Sequence, residues 1–158
     1  PVKCVRALPG GERFVAASTD RLLRVQTCAS GALVASLDAP GAVQLGILRR
    51  IFEARKEWWH LVPDQTIFAS GGNSNGQVLN LAARHKDGRW LMAYLGDKAT
   101  FAIDRSKLTG GKQASAFWID PRTGASVSIG KVPNSGVGEF TTPEGWEDAL
   151  LILESASE

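Results

Sequence analysis

The stretch ASAFWIDPRTGASVSIG, residues 114–130, places two runs of apolar and β-branched residues on either side of a short polar segment. In that segment Asp120 suits the first position of a β-turn, because its carboxylate accepts a backbone hydrogen bond. Pro121 presets the φ angle of the second position at about −65°, and Gly124 tolerates the positive φ that leads out of the turn. The stretch therefore predicts a β-hairpin, with Asp120, Pro121 and Gly124 as structural turn residues.

Asp120 also stands close to Thr123 and Gly124, an arrangement that raises the question of a catalytic aspartate. Aspartic proteases need two carboxylates from two Asp-Thr-Gly loops, because the pair must share one proton. The sequence contains no second loop of this kind. We therefore interpret Asp120 as the corner of a hairpin and not as a catalytic acid.

The hairpin pattern continues through the C-terminal part of the chain. From Thr66 onward, short apolar runs alternate with turns rich in Gly, Pro, Asn and Asp. Strands and turns at this density are typical of an antiparallel β-sandwich. A chain of 158 residues with 44% hydrophobic residues is long enough to bury such a core. The sequence predicts a mainly β fold, with the sandwich over residues 65–158.

One amphipathic helix is predicted before the sandwich, in a linking segment at residues 38–64. Asp38 and Pro40 suit its start, and Pro63 suits its end. Apolar residues recur at helical spacing and form a stripe that consists of Leu45, Leu48, Phe52 and Trp59. An isolated helix would leave this stripe in water, so we expect it to contact the sandwich, the N-terminal strands or a second copy of the chain.

Residues 1–37 are predicted to form a small strand-rich N-terminal segment. Turns are expected at 9–11, at Thr19-Asp20 and at 29–31. The run GGERFVAASTDRLLRVQTCASGALVASL (10–37) resembles one blade of a WD-repeat propeller, although Gln26 stands where the blade usually has tryptophan. No second copy follows in the sequence, so ordinary antiparallel strands are the favoured alternative.

Composition argues against several partners. The formal net charge is only +2, and the basic run LRRIFEARK (48–56) is interrupted by Glu53, so we expect no nucleic-acid partner. No apolar run reaches the roughly 18 residues of a membrane span, so no membrane association is predicted.

Cys4 and Cys28 allow one disulfide, but free thiols are favoured, and no Cys/His cluster predicts a metal site. A start at Pro1 indicates a processed product or part of a longer chain.

Few residues suggest catalysis. His60 follows two tryptophans and is expected to be a partly buried packing residue, whereas His85 is expected to be exposed in the turn RHKDG. Neither has a recognisable nucleophile motif beside it. Glu139 and Glu147 lie near the C-terminal strands, and they are the acidic residues that a stand-alone hydrolase would use.

Ligand binding is predicted at three positions. Trp146, in the corner PEGW, is expected to be exposed and offers a flat ring on which a sugar could stack. Asn73 and Asn75 lie in the loop GGNSNG, and loops of a sandwich often carry binding residues. That loop lacks the Gly-Lys-Ser/Thr ending of a phosphate-binding loop, so a flexible hairpin loop is the better interpretation.

A family resemblance rests on three runs of sequence. They are PGAVQLGILRRIFEARKEWWHLVPDQ (40–65), RWLMAYLGDKATFAIDRSKLTGGKQASAFWIDPRTG (89–124) and GEFTTPEGWEDALLILE (138–154). In this order they resemble the C-terminal β-sandwich that follows the catalytic barrel in apiosidase-like glycoside hydrolases. That module is often called the "putative collagen-binding domain of a collagenase". The resemblance covers about residues 38–158, and its most specific element is the Trp-x-Asp-Pro-Arg-Thr-Gly turn.

The resemblance implies a non-catalytic accessory domain, because the catalytic carboxylates of the family lie in an upstream (β/α)8 barrel that has no counterpart here. The stripe of Leu45, Leu48, Phe52 and Trp59 would then contact that barrel domain. The accessory domain would brace the catalytic domain or bind a glycan. Alternatives are a module that binds collagen or another extracellular protein, and a hydrolase that uses Glu139 and Glu147. The family also implies a secreted or periplasmic protein, and no cofactor is expected.

Overall fold

The structure, a computed structural model, describes residues 2–18, 23–37 and 40–155. These residues form one α-helix and three antiparallel sheets, so the prediction of a mainly β fold is confirmed. The chain divides into two compact units, Pro1–Arg50 and Ile51–Glu158. Two expected features, the turn at Thr19-Asp20 and the helix start at Asp38, lie outside the described residues. No helix in the described part of the chain is long and apolar enough to cross a membrane.

The first unit contains a small antiparallel sheet. Its strands are β1 (Val2–Ala7), β2 (Arg13–Ser18), β3 (Leu23–Thr27) and β4 (Leu33–Leu37), and they pair in chain order. Such a four-stranded meander occurs in a propeller blade and also in many ordinary sheets. The WD-repeat interpretation therefore stays a prediction. Cys28, in the turn between β3 and β4, is an exposed free thiol.

Helix α1 spans Pro40–Glu53, so the predicted helical segment at 38–64 extends too far towards the C-terminus. The guanidinium of Arg55 donates a hydrogen bond to the carbonyl of Ile51, an acceptor that the end of the helix leaves free. Glu57 then adopts φ 57° and ψ 37°, a left-handed conformation that interrupts a right-handed helix. Trp59 consequently lies on the 3-10 turn Trp58–His60 and not on α1.

The predicted apolar stripe is not the buried face of α1. Ile47 and Ile51, one helical turn apart, are 2% and 7% exposed, whereas Leu45 and Leu48 are 67% and 45% exposed. Phe52 is half-buried. Leu45 and Leu48 have little cover within this chain, so their contact with an outside partner stays a prediction.

The second unit contains the sandwich. Its strands are β5 (Leu61–Pro63), β6 (Phe68–Ser70), β7 (Asn80–His85), β8 (Trp90–Leu95), β9 (Thr100–Asp104), β10 (Gln113–Ile119), β11 (Ser126–Pro133), β12 (Val137–Thr141) and β13 (Ala149–Ser155). One sheet has the order β11-β10-β13-β8-β7-β5, and the other has the order β12-β9-β6. Two antiparallel sheets of this kind agree with the predicted β-sandwich.

The core is built from both of these sheets. The six-stranded sheet contributes Ala82, Leu91, Ala93, Leu95, Trp118, Leu151 and Leu153, and the three-stranded sheet contributes Phe101, Ile103 and Phe140. On β8 the core residues alternate with Trp90 and Met92, as the period of two in a strand requires. Trp90 and Met92 are themselves 5% and 7% exposed, so the opposite face of the six-stranded sheet is also apolar and buried here.

The stretch WIDPRTG forms the connection between β10 and β11. Asp120 and Ala125 are joined by a backbone hydrogen bond of 2.9 Å, and the N–H of Gly124 donates to the carbonyl of Asp120 at 2.8 Å. The Asp120 carboxylate accepts the N–H of Arg122 at 2.8 Å and the hydroxyl of Thr123 at 2.7 Å. Both of its oxygens are therefore engaged inside the turn.

Candidate functional site

A row of aromatic rings runs from the end of α1 to β8. This aromatic row consists of Phe52, Trp58, Trp59, His60, His85 and Trp90. Successive ring centroids are between 5.7 and 6.2 Å apart, a separation at which aromatic pairs attract each other. Trp58 and Trp59 are 41% and 65% exposed, whereas Trp90 is 5% exposed. The row thus connects the surface of the second unit with its interior.

Three polar side chains meet in the middle of this row and are called the Glu57–His60–His85 cluster below. Glu57 precedes the 3-10 turn, His60 ends it, and His85 ends β7. Pairing between β5 and β7 places Leu61 opposite His85, and the N–H of Lys86 donates to the carbonyl of His60 at 2.9 Å. One potential ligand atom from each of the three residues lies within 4.8 Å of the other two.

His85 is 0% exposed, so the expectation of an exposed turn histidine is wrong. The polar turn begins only after it, and its ring packs between those of His60 and Trp90. Burial lowers the pKa of His85, although the carboxylates of Asp87 and Glu57 partly offset this effect. His85 is therefore a neutral imidazole near pH 7, with Nδ1 accepting the backbone N–H of Asp87 at 3.1 Å. His60 is half-buried, as expected.

The turn after His85 needs glycine at position 88. Gly88 has φ 70°, and a Cβ atom at this position would lie 2.6 Å from the carbonyl oxygen of Lys107. Its own carbonyl accepts the N–H of Thr109 at 2.9 Å. This close approach fixes the β7–β8 turn, and with it Asp87 and Arg89, against the segment that precedes β10.

A groove of about 810 Å³, called the Arg55 groove below, opens beside these residues. Four segments line it: 54–56 after α1, residues 87, 89 and 90 at the β7–β8 turn, 109–110 before β10, and 154–155 on β13. The indole N–H of Trp90 has no hydrogen-bond partner among the described residues. The residues that line the groove include cations and carboxylates, which suits a polar ligand.

Arg55 anchors one wall of the groove. Its side chain is 4% exposed, and its Nε lies 3.0 Å from Oε1 of Glu154 without the alignment of a hydrogen bond. The guanidinium carbon also lies 5.6 Å from the centre of the Phe117 ring, within cation–π range. Burial lowers the pKa of Arg55, and the charge of Glu154 partly offsets this, so the guanidinium remains charged.

The predicted ligand-binding residues lie away from these features in the sequence. Asn73 is engaged within its loop, because its side chain donates to the carbonyl of Val78 at 2.8 Å and accepts the N–H of Asn75 at 3.1 Å. Asn75 is exposed. Trp146 is half-buried and packs against the core, so less of its ring is open than the sequence led us to expect.

The two candidate acids of a hydrolase are both on the surface. Glu139 is exposed on β12. Glu147 is 77% exposed and forms a 2.6 Å ion pair with Arg122. Both carboxylates are therefore open to water, unlike the enclosed general acid of a glycosidase such as lysozyme.

Reasoning from the sequence missed the Glu57–His60–His85 cluster and the Arg55 groove. A signal was present in Glu57-Trp-Trp-His60, because a Glu-x-x-His spacing directs two ligand side chains to one side of a turn or helix. The third member, His85, is distant in sequence, and only the pairing of β5 with β7 brings it there.

Comparison with known proteins gives one family and several similar folds. The family described as "Putative collagen-binding domain of a collagenase" matches residues 62–154. A structure described as "Glycoside hydrolase" matches with a TM-score of 0.66 and 25% identity, over 77% of this chain and 26% of that chain. The structure of a glycoside hydrolase family 5 from Bacteroides vulgatus ATCC 8482 matches in fold with a TM-score of 0.65 and 24% identity. The match covers 75% of this chain and 25% of that chain. Comparison with curated proteins gave no match.

Proposed function

The chain belongs to the family described as "Putative collagen-binding domain of a collagenase", and on that premise we propose that it is a non-catalytic accessory β-sandwich that braces the catalytic domain of a glycoside hydrolase-like protein. The chain spans only about a quarter of the length of the two glycoside hydrolases it matches, at 26% and 25%. This proportion supports a domain attached to a larger catalytic part.

The observation that carries the proposal is the exposed aromatic pair Trp58 and Trp59. Their ring centroids are 6.2 Å apart in an edge-on arrangement, and 41% and 65% of the two residues is open to water. Burial of one large apolar side chain contributes about 1.5–3 kcal/mol, so two exposed tryptophans side by side are typical of an interaction surface. A catalytic domain that covers this pair would gain most of that free energy.

Trp59→Ser is expected to uncouple the domains in the complete natural protein that carries this chain. Contact at Trp59 makes the sandwich and the catalytic domain unfold together. Loss of this contact removes about 1.5–3 kcal/mol from the free energy that holds the two domains together. Differential scanning calorimetry should show one shared transition for the wild type and two separate transitions for the variant.

A matched control for Trp59→Ser is Val137→Ser, because Val137 is 58% exposed on β12, in the other sheet. This control should leave the shared transition in place. If Trp59→Ser and Val137→Ser gave the same calorimetric trace, the aromatic pair would not be a contact surface, and the bracing function would be rejected.

The second candidate function is glycan binding in the Arg55 groove. Two polar groups favour it: the ammonium of Lys56 and the guanidinium of Arg89, since both residues line the groove. Such donors match the hydroxyl or carboxylate oxygens of a sugar. Trp146, Asn73 and Asn75 form an alternative glycan surface, on which the exposed part of the Trp146 ring would stack against a sugar face.

A glycan array distinguishes the two surfaces. If the Arg55 groove binds, Lys56→Ala should weaken binding of the best array ligand at least about 10-fold, because one charged hydrogen bond is lost, while Trp146→Ala should not. Weaker binding by Trp146→Ala, with unchanged binding by Lys56→Ala, would assign the binding site to the Trp146 surface. If the array shows no binding and the chain is captured on immobilised collagen, the ligand is not a glycan. The ligand is then collagen, as the family's description suggests.

A further inference from the structure

We infer that Glu57, His60 and His85 form a binding site for a borderline divalent cation of the Zn²⁺ type. One potential ligand atom from each residue lies within 4.8 Å of the other two. Two imidazoles and one carboxylate are a known ligand set for zinc, with water in the fourth position. The ligands come from two chain segments, 57–60 and β7, that strand pairing holds side by side.

Two buried imidazole nitrogens provide an independent observation. Nε2 of His85 and Nδ1 of His60 have no hydrogen-bond partner within the described part of the chain, and His85 is 0% exposed. A buried polar atom without a partner is destabilising, so proteins normally satisfy it with another group, water or an ion. Nε2 of His85 is 3.8 Å from Oε2 of Glu57, which is too far for a hydrogen bond. A cation between these atoms would bond to both.

The ligand atoms must approach one another to bind one ion. Atoms bound at about 2.0–2.2 Å to a tetrahedral ion lie roughly 3.3–3.6 Å apart, compared with 3.8 Å between Nε2 of His85 and Oε2 of Glu57 and at most 4.8 Å between any two of the three ligand atoms. Glu57 and His60 are both half-buried, so their side chains have room to adjust. His85 is held by its packing and provides the fixed ligand.

Cation binding also selects the tautomer of His85. Nδ1 accepts the N–H of Asp87, so the neutral ring carries its proton on Nε2. For Nε2 to bind a cation, that proton must move to Nδ1, where the Asp87 carboxylate, with Oδ2 3.9 Å away, becomes its acceptor. The result is a carboxylate–histidine–metal arrangement, which orients the imidazole and raises its basicity. Binding therefore breaks the hydrogen bond from the N–H of Asp87 to Nδ1, and the bonds to the cation must outweigh this loss.

The surroundings favour zinc over calcium or magnesium. Arg89 donates from Nη1 to Oε2 of Glu57 at 2.6 Å, which orients the carboxylate, and the second lone pair of Oε2 stays available for a cation. Two imidazole ligands suit Zn²⁺, Cu²⁺ and Ni²⁺, whereas Ca²⁺ and Mg²⁺ prefer sites built from oxygen atoms. An arginine beside the site further disfavours cations that depend on carboxylate charge alone.

The experiment is a titration of the chelator-treated chain with ZnCl₂, followed by calorimetry and by thermal unfolding. We expect one ion per chain and a rise in Tm of roughly 5–10 °C when free zinc is about a hundred times Kd. CaCl₂ and MgCl₂ at the same concentration should leave Tm unchanged. His60→Gln should weaken zinc binding at least about 100-fold, and Asp87→Asn about 10–100-fold.

Glu144→Gln is the matched control, because it neutralises an exposed glutamate outside the cluster and should bind zinc as the wild type does. The site is rejected if the wild type binds no zinc, if His60→Gln binds it unchanged, or if calcium and magnesium raise Tm equally. Should His60→Gln fail to fold without metal, Glu57→Gln is measured in its place, and unchanged zinc affinity in that variant rejects the site.

Discussion

Phe101→Ala lowers the free energy of unfolding of the second unit by about 3–5 kcal/mol. Phe101 is 1% exposed, and its ring lies 5.7 Å from that of Phe68, 6.0 Å from that of Trp118 and 6.1 Å from that of Phe140. Truncation removes the side chain around which both sheets pack. Because the structure around a new cavity relaxes only partially, the loss includes a cavity contribution as well as lost burial.

The Phe101→Ala measurement is denaturant unfolding followed by tryptophan fluorescence. All five tryptophans lie in the second unit, so this signal reports on the sandwich. Val137→Ala, on the neighbouring strand β12 and 58% exposed, is the control and should change the free energy by less than about 0.5 kcal/mol. A loss below about 1 kcal/mol for Phe101→Ala would contradict the described core.

Glu154→Leu is expected to lower the free energy of unfolding by about 3 kcal/mol, because it leaves the buried guanidinium of Arg55 without its countercharge. The Arg55 side chain is 4% exposed and Glu154 is 39% exposed, so the cost falls mainly on the arginine. Denaturant unfolding followed by tryptophan fluorescence measures this loss in the free energy of unfolding. The double variant Arg55→Met/Glu154→Leu should recover most of the loss, because no unpaired charge then remains buried.

The matched control for Glu154→Leu is Glu147→Leu. Glu147 forms the same type of ion pair with Arg122, at 2.6 Å, but the two side chains are 77% and 50% exposed. Surface pairs of this kind contribute about 0–1 kcal/mol. Equal losses in Glu154→Leu and Glu147→Leu would show that Arg55 is not a buried charge in solution.

Much of the fold followed from local patterns in the sequence. The mainly β character and the sandwich are confirmed, because strand-length apolar runs separated by Gly, Pro, Asn and Asp have few other compact arrangements. The end of α1 was misjudged, since the apolar spacing continues to Trp59 although the backbone leaves the helix before it. Spacing indicates which positions are apolar but not the backbone angles of each residue, so it did not predict the left-handed conformation of Glu57.

The candidate site was the least predictable part of the molecule. His85 stands in a polar stretch, and composition alone assigned it to the surface. Its burial follows from its place at the end of β7, opposite Leu61 and between two aromatic rings. Arg55 belongs to the basic run 48–56, and nothing in that run predicts that it lies against Phe117 and Glu154, residues far away in the sequence.

The sequence by itself determined features whose causes lie within a few residues. Asp120, Pro121 and Gly124 favour a turn because their side chains and backbone angles act on immediate neighbours, and short alternating runs favour strands for the same reason. Only the tertiary structure decided that β13 lies between β10 and β8, and that Glu57 and His60 meet His85. Those outcomes depend on contacts between segments that are distant in the sequence. The free energy of such contacts arises from burial and strand register, which no short stretch of sequence determines by itself.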